Sequence, residues 1–139
     1  AQVLGALTRA HKGLCVAGTH GKTTTSSMAA HILHQSHVDC NAFLGGITKN
    51  YGTNYILSPK SDYVVIEADE FDRSFHWLTP YASVITATDP DHLDIYGTKE
   101  AYLESFRIYF LDSSGRFFGP ARGTGDAAGC TRGGDDLFL

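Results

Sequence analysis

Gly13-Leu14-Cys15-Val16-Ala17-Gly18-Thr19-His20-Gly21-Lys22-Thr23-Thr24-Thr25 passes from a short apolar run, through a glycine-bearing turn, into a row of small hydroxyl residues. The run Gly13 to Ala17 reads as a buried parallel strand, since a strand covered on both faces shows no polar alternation. From Thr23 to about Gln35, Met28, Ala29, Ile32 and Leu33 fall on one predicted helical face. Between strand and helix, Gly18-Thr19-His20-Gly21-Lys22-Thr23-Thr24 has the parts of a phosphate-binding loop. Its glycines let successive backbone N–H groups point inward, Lys22 suits the β- and γ-phosphates of ATP, and Thr23 offers a hydroxyl to Mg²⁺. The strict pattern G-x-x-x-x-G-K-[ST] would put glycine at Val16, so this is a variant whose leading glycine is Gly18. A Gly/Thr-rich turn without a ligand is the plainer alternative, and it leaves the flanking strand and helix unexplained.

Working outward, Val3, Leu4 and Leu7 recur at helical spacing, so residues 1–12 read as the end of a helix. Cys40 to Leu44 reads as a second strand that ends at Gly45-Gly46, and Asn50 to Leu57 is aromatic and β-prone. Tyr63-Val64-Val65-Ile66 is the clearest buried strand, and it runs into Glu67-Ala68-Asp69-Glu70. Ala82 to Thr86 is a further strand, followed by Asp89-Pro90-Asp91-His92-Leu93-Asp94; Thr98 then looks like the N-cap of a helix carrying Tyr102, Leu103, Phe106, Tyr109 and Phe110. Acidic clusters at the carboxyl ends of strands, in a chain that alternates strand and helix, predict an α/β fold with a doubly wound, mainly parallel sheet. Residues 112–139 are rich in glycine and show no period, so a poorly ordered tail is expected there.

Composition narrows the function. At 139 residues the chain suits one α/β core, and its net charge of −4 leaves no Lys/Arg stripe for a nucleic-acid backbone. No apolar run approaches the ~20 residues of a membrane span and the first residues show no secretory signal, so a cytoplasmic protein is expected, with no membrane partner. Cys15, Cys40 and Cys130 lack any C-x-x-C pair; Cys15 and Cys40 read as small core residues.

Gly18-Thr19-His20-Gly21-Lys22-Thr23-Thr24-Thr25 resembles the phosphate loop of the Mur ligases. Glu67-Ala68-Asp69-Glu70-Phe71-Asp72 is similar to the E-A-D-E-S-D segment of the L-alanine-adding branch of that family, and Asp91-His92-Leu93-Asp94-Ile95-Tyr96-Gly97 to its D-H-L-D-x-Y-G segment. The resemblance covers roughly Leu4 to Leu111, most of the family's central domain, with residues 13–111 as that domain. It implies ATP-dependent ligation of L-alanine to the lactyl carboxylate of UDP-N-acetylmuramate, through an acyl phosphate, in peptidoglycan precursor synthesis. Carried over by position, Gly18, Thr19, His20, Gly21, Lys22, Thr23 and Thr24 would bind nucleotide. Thr23 and Glu67 would hold one Mg²⁺ and His92 a second, with Lys22, Glu67 and His92 forming the catalytic set. From ligand chemistry alone, Asp91 or Asp94 would be favoured over an imidazole for Mg²⁺. Gly45, Gly46 and Arg73 are candidate contacts for the sugar nucleotide, and Asp69, Glu70, Asp72 and Asp94 are left in supporting roles.

The sequence departs from the family in two places. Ala87 stands where the family usually has asparagine, and Arg107 is the nearest match to a modified lysine found in several relatives, so no carbamylated lysine is expected. His31, His34 and His37 read as surface histidines, and Phe75 and Trp77 as core. The chain is expected to be an ATP- and Mg²⁺-binding fragment that does not complete the ligation alone. The alternatives are the recycling ligase that adds a tripeptide to the same sugar nucleotide, a P-loop switch or motor ATPase, and a non-catalytic ATP-binding module.

Overall fold

The structure is a computed structural model that describes residues 1–112 and 116–118. After helix α1 (Gln2–Ala10) come strand β1 (Lys12–Ala17), helix α2 (Lys22–Gln35), and strands β2 (Asn41–Phe43), β3 (Tyr55–Ile56) and β4 (Tyr63–Glu67). A 3-10 turn (Ser74–Trp77), β5 (Ala82–Ile85), a short helix α3 (Leu93–Tyr96), α4 (Lys99–Asp112) and β6 (Arg116–Phe118) complete the order. The strands lie side by side as β3-β2-β4-β1-β5-β6, and every pairing but the β2–β3 edge is parallel. β1 is central, with Val16 opposite both Glu67 of β4 and Val84 of β5.

Strand alternation divides the core between the two faces of the sheet. Cys15, Ala17, Val64 and Ile66 pack with Phe75, Tyr102, Phe106 and Tyr109 under the 3-10 turn and α4. Ala42 and Val65 point the other way, packing with Ala30 and Cys40, with Leu14 and Leu33 at the margin, under α2. Helices thus cover both faces, as a doubly wound sheet requires. The buried thiols of Cys15 and Cys40 are pushed up to about 12 and about 11, first of all by loss of solvation. Among the described residues no helix is long and apolar enough to cross a membrane.

Three expectations are corrected. The buried face of α2 is Ser26 and Ala30, while Met28 and Ile32 are 59% and 63% exposed. Trp77 is half in solvent whereas Phe75 beside it is fully buried, because the 3-10 turn directs only Phe75 onto Tyr109 and Phe106. The strand Arg116–Phe118 lies within the stretch expected to be a tail and pairs with β5; residues 113–115 and 119–139 lie outside the described residues. Thr98 caps α4 as predicted, its Oγ1 accepting the Ala101 N–H at 3.1 Å.

At the far edge from the phosphate loop, Asp39 holds the α2–β2 turn in a left-handed conformation (φ 55°). His34 Nδ1 lies 2.6 Å from Asp39 Oδ1, Ser58 donates to Oδ2 at 2.5 Å and the Cys40 N–H to Oδ1 at 2.8 Å. These bonds, led by Ser58, lower the Asp39 carboxyl to about 2. A lowered carboxyl contributes stability that is complete above its ordinary value of 3.8 and is lost as pH falls toward about 2. Acid titrations of the wild type and Asp39→Asn are therefore expected to differ at pH 5 and to converge near pH 2; a constant gap across that window would refute this account.

Candidate functional site

The loops at the carboxyl ends of β1, β4 and β5 meet at one place. After Ala17 the chain turns at Gly18 (φ 121°), and a Cβ there would lie 2.8 Å from both N and O of Ala87. Only glycine permits this approach, which is closed by the Thr19 N–H donating to Ala87 O at 2.9 Å. Ala87, whose departure from asparagine put a side-chain contact in question, is thus used through its backbone. Thr86 Oγ1 donates to Ala17 O at 3.1 Å and to His20 O at 2.5 Å. Gly21 (φ 81°) is the N-cap of α2. Gly18→Ala is expected to lose about 1–3 kcal/mol from backbone strain alone, more with the clash; an unchanged thermal midpoint would contradict the described approach to Ala87.

Two side chains from the end of β4 reach successive residues of the loop. Lys22 Nζ donates to Gly18 O at 2.8 Å and to Glu70 Oε1 at 2.8 Å. Thr23 Oγ1 donates to Glu67 Oε1 at 2.9 Å, and Glu67 Oε2 accepts the Gly45 N–H at 2.9 Å. A Cβ on Gly45 would stand 2.5 Å from Glu67 Oε1, and one on Gly46 would stand 3.3 Å from Thr23 Cγ2, so this glycine pair abuts the Thr23–Glu67 edge. Thr24 and His20 are exposed at the mouth. Thr19 is held from the opposite side, with its Oγ1 2.8 Å from Tyr102 OH and donating to Asp89 O at 2.8 Å. Burial, ahead of the nearby Glu70 charge, pushes the Tyr102 phenol up to about 12, so it stays neutral.

Arg73 and His92 are each in a left-handed conformation (φ 59° and 53°) at the start of a short helical turn, and the Arg73 N–H donates to Glu70 O at 3.0 Å. The Arg73 guanidinium lies 5.1 Å from the centre of the Tyr96 ring. His92 packs edge-on against Phe71 at 5.0 Å, with its Nε2 3.8 Å from Asp91 Oδ2. Among the described residues no three His, Cys, Asp or Glu side chains converge into a ready-made metal site. Glu67 and Thr23 nevertheless offer an oxygen pair that suits Mg²⁺, an ion commonly held by one or two carboxylates together with ligand phosphates.

Sequence reasoning left Glu70 in a supporting role without foreseeing that its side chain is fully buried against Lys22, and it assigned no part here to Tyr96 or to Tyr102, which was read only as a helix residue. Asp69 and Asp72 do behave as turn residues, accepting the backbone N–H of Phe71 and Ser74. His34, read as a plain surface histidine, is bonded to Asp39.

The profile of the Mur ligase middle domain matches residues 16–116. A UDP-N-acetylmuramate–L-alanine ligase of Phocaeicola vulgatus is 84% identical over 108 residues, which are 78% of this chain and 24% of that protein. One of Parabacteroides distasonis is 76% identical over 109 residues, with the same shares. The chain therefore spans about a quarter of the length of the curated relatives it matches. Among solved structures, a UDP-N-acetylmuramate-alanine ligase of Thermotoga maritima aligns with a TM-score of 0.74 at 31% identity, over 86% of this chain and 28% of that one. A UDP-N-acetylmuramate:L-alanyl-γ-D-glutamyl-meso-diaminopimelate ligase of Neisseria meningitides aligns with a TM-score of 0.75 at 28% identity, over 88% of this chain and 44% of that one.

Proposed function

The chain belongs to the Mur ligase family through its middle domain, and on that premise we propose that it is the ATP- and Mg²⁺-binding part of an enzyme that joins L-alanine to UDP-N-acetylmuramate. The observation that carries the reading is the Thr23–Glu67 contact of 2.9 Å beside Lys22 at a glycine-built helix start, in a chain so close in sequence to L-alanine-adding relatives. On this reading residues 13–111 are the ATP-binding domain and residues 1–12 the end of a linker helix.

In the reaction, an oxygen of the lactyl carboxylate attacks the γ-phosphorus of ATP and ADP departs; the neutral amine of L-alanine then attacks the carbonyl carbon of the acyl phosphate, the C–O bond to phosphate breaks, and phosphate leaves as the nitrogen gives up a proton. Crowded anions make positioning and charge neutralisation the chief demands. The loop Gly18 to Thr24, His20 included, would enclose the phosphates with its backbone N–H groups other than that of Thr19, which is given to Ala87 O, and the Lys22 ammonium would meet the β- and γ-oxygens. Thr23 and Glu67 would hold Mg²⁺, which when bound offsets phosphate charge. His92, with Asp91 beside it, would serve a second ion on the sugar-nucleotide side, where Gly45, Gly46 and Arg73 would contact UDP-N-acetylmuramate.

Calorimetric titration of the chain with Mg-ATP tests the cradle. Supplying the full-length protein with ATP, UDP-N-acetylmuramate and either L-alanine or the tripeptide, then weighing the product, tests the substrate. No saturable nucleotide binding would overturn the first, and a tripeptide product alone the second.

A further inference from the structure

Glu70 is the anomaly of the site. Its side chain has no solvent exposure, one oxygen meets Lys22, and the other, Oε2, is buried without a hydrogen-bond partner among the described residues. A buried acid with an unpaired oxygen is costly, and replacing a buried ion pair with apolar groups of similar volume is often neutral or stabilising. Packing therefore does not explain a carboxylate at this position, and its effect on Lys22 does.

We propose that Glu70 is the positioning residue of the phosphate-loop lysine: it holds the Lys22 ammonium against Gly18 O in the nucleotide-free domain, with one N–H left for a phosphate oxygen. This rests on the reading of Gly18 to Thr24 as a nucleotide cradle. An ammonium has three donors; Gly18 O and Glu70 Oε1 take two, both at 2.8 Å. Lys22 keeps 15% exposure and so remains reachable, whereas Glu70, at 0%, cannot touch a ligand and acts only through the lysine. Glu70 is itself fixed from behind. Its carbonyl accepts hydrogen bonds from Tyr96 OH and from the Arg73 N–H, so the anchor of the lysine is tied to the 91–97 segment. The two glutamates divide the loop between them, the buried Glu70 taking Lys22 and the more open Glu67 taking Thr23.

The test separates the anchor from the charge. Glu70→Gln keeps an acceptor for Lys22 and removes an anion near the phosphates, whereas Glu70→Met fills the space and offers no acceptor. Freeing a long side chain that must be ordered again on binding lowers affinity by about two- to tenfold. Mg-ATP is thus expected to bind Glu70→Met about two- to tenfold more weakly than Glu70→Gln. Equal affinity of the two variants would overturn the proposal. A failure of the wild type to bind Mg-ATP would overturn the cradle reading instead. A nucleotide-independent measurement keeps the two apart: in the wild type, acylation of Lys22 by an amine-reactive ester, followed by mass spectrometry, is expected to be several-fold slower than at Lys49 and Lys60, and to rise in Glu70→Met. Equal rates at the three lysines in the wild type would refute the anchor whatever the nucleotide does.

Discussion

Lys22→Ala is expected to lose Mg-ATP binding and to destabilise the domain as well. A loop lysine, seen from sequence alone, is a surface charge whose removal spares the fold; paired with a fully buried Glu70 at 2.8 Å, it is not. Removing one partner of a buried ion pair strands the other and costs about 3–5 kcal/mol, a large part of the roughly 5–15 kcal/mol that holds a domain together. The binding loss follows from the charge-assisted hydrogen bonds to phosphate, each worth about 1.5–3 kcal/mol, or roughly ten- to a hundredfold in affinity. Adding Glu70→Met to Lys22→Ala removes the stranded carboxylate, so the double variant is expected to regain most of the lost stability and none of the binding. Denaturant unfolding and calorimetry on the same samples separate the two effects. A single variant as stable as the wild type would show that the pair is not buried in solution.

Glu67→Gln in the full-length protein is expected to lower turnover by about 10²–10³, with a much smaller change in ATP affinity. The substitution keeps the shape of the side chain and one of the two oxygens that accept from Thr23 and Gly45, puts an amide nitrogen in place of the other, and removes the charge that suits Mg²⁺. Groups that act on charge developing in the transition state change kcat by about that factor when removed singly. His92→Ala is expected to add less than its own single loss to the Glu67→Gln variant, since both serve one transition state. Steady-state kinetics of the two single variants and the double variant decide it; full additivity would mean that the residues work independently.

The central strand, the glycine loop and the helix after it could be read from sequence, because glycine, apolar runs and a capping Thr98 carry local signals. The phase of α2 could not. Apolarity favoured Met28 and Ile32, yet the side facing the sheet is made of Ser26 and Ala30, small residues that let the helix lie close. The Ser26 hydroxyl is satisfied there by Thr23 O, which no hydropathy pattern reports. Glu67 stood out by ending a strand. Glu70, three residues on in the same acidic run, has no local mark of burial; its partner Lys22 is 48 residues away, and Tyr96, whose hydroxyl donates to its carbonyl, is 26 residues away. The strand Arg116–Phe118 escaped notice because three residues carry no period, and its pairing with β5 is tertiary.

The order of the strands also has a consequence for how the chain is made. β1 is synthesised well before its neighbours β4 and β5, with Leu14 aligned to Ala82. The loop after β1 depends on still more distant partners: Thr86 is 69 residues beyond Ala17, and Tyr102 is 83 beyond Thr19. On the ribosome, then, the glycine-rich stretch emerges long before anything can hold it in shape, and closing such wide loops is slow compared with forming a helix. A nascent chain halted before Tyr102 carries every residue of the phosphate loop and lacks part of the frame that holds it.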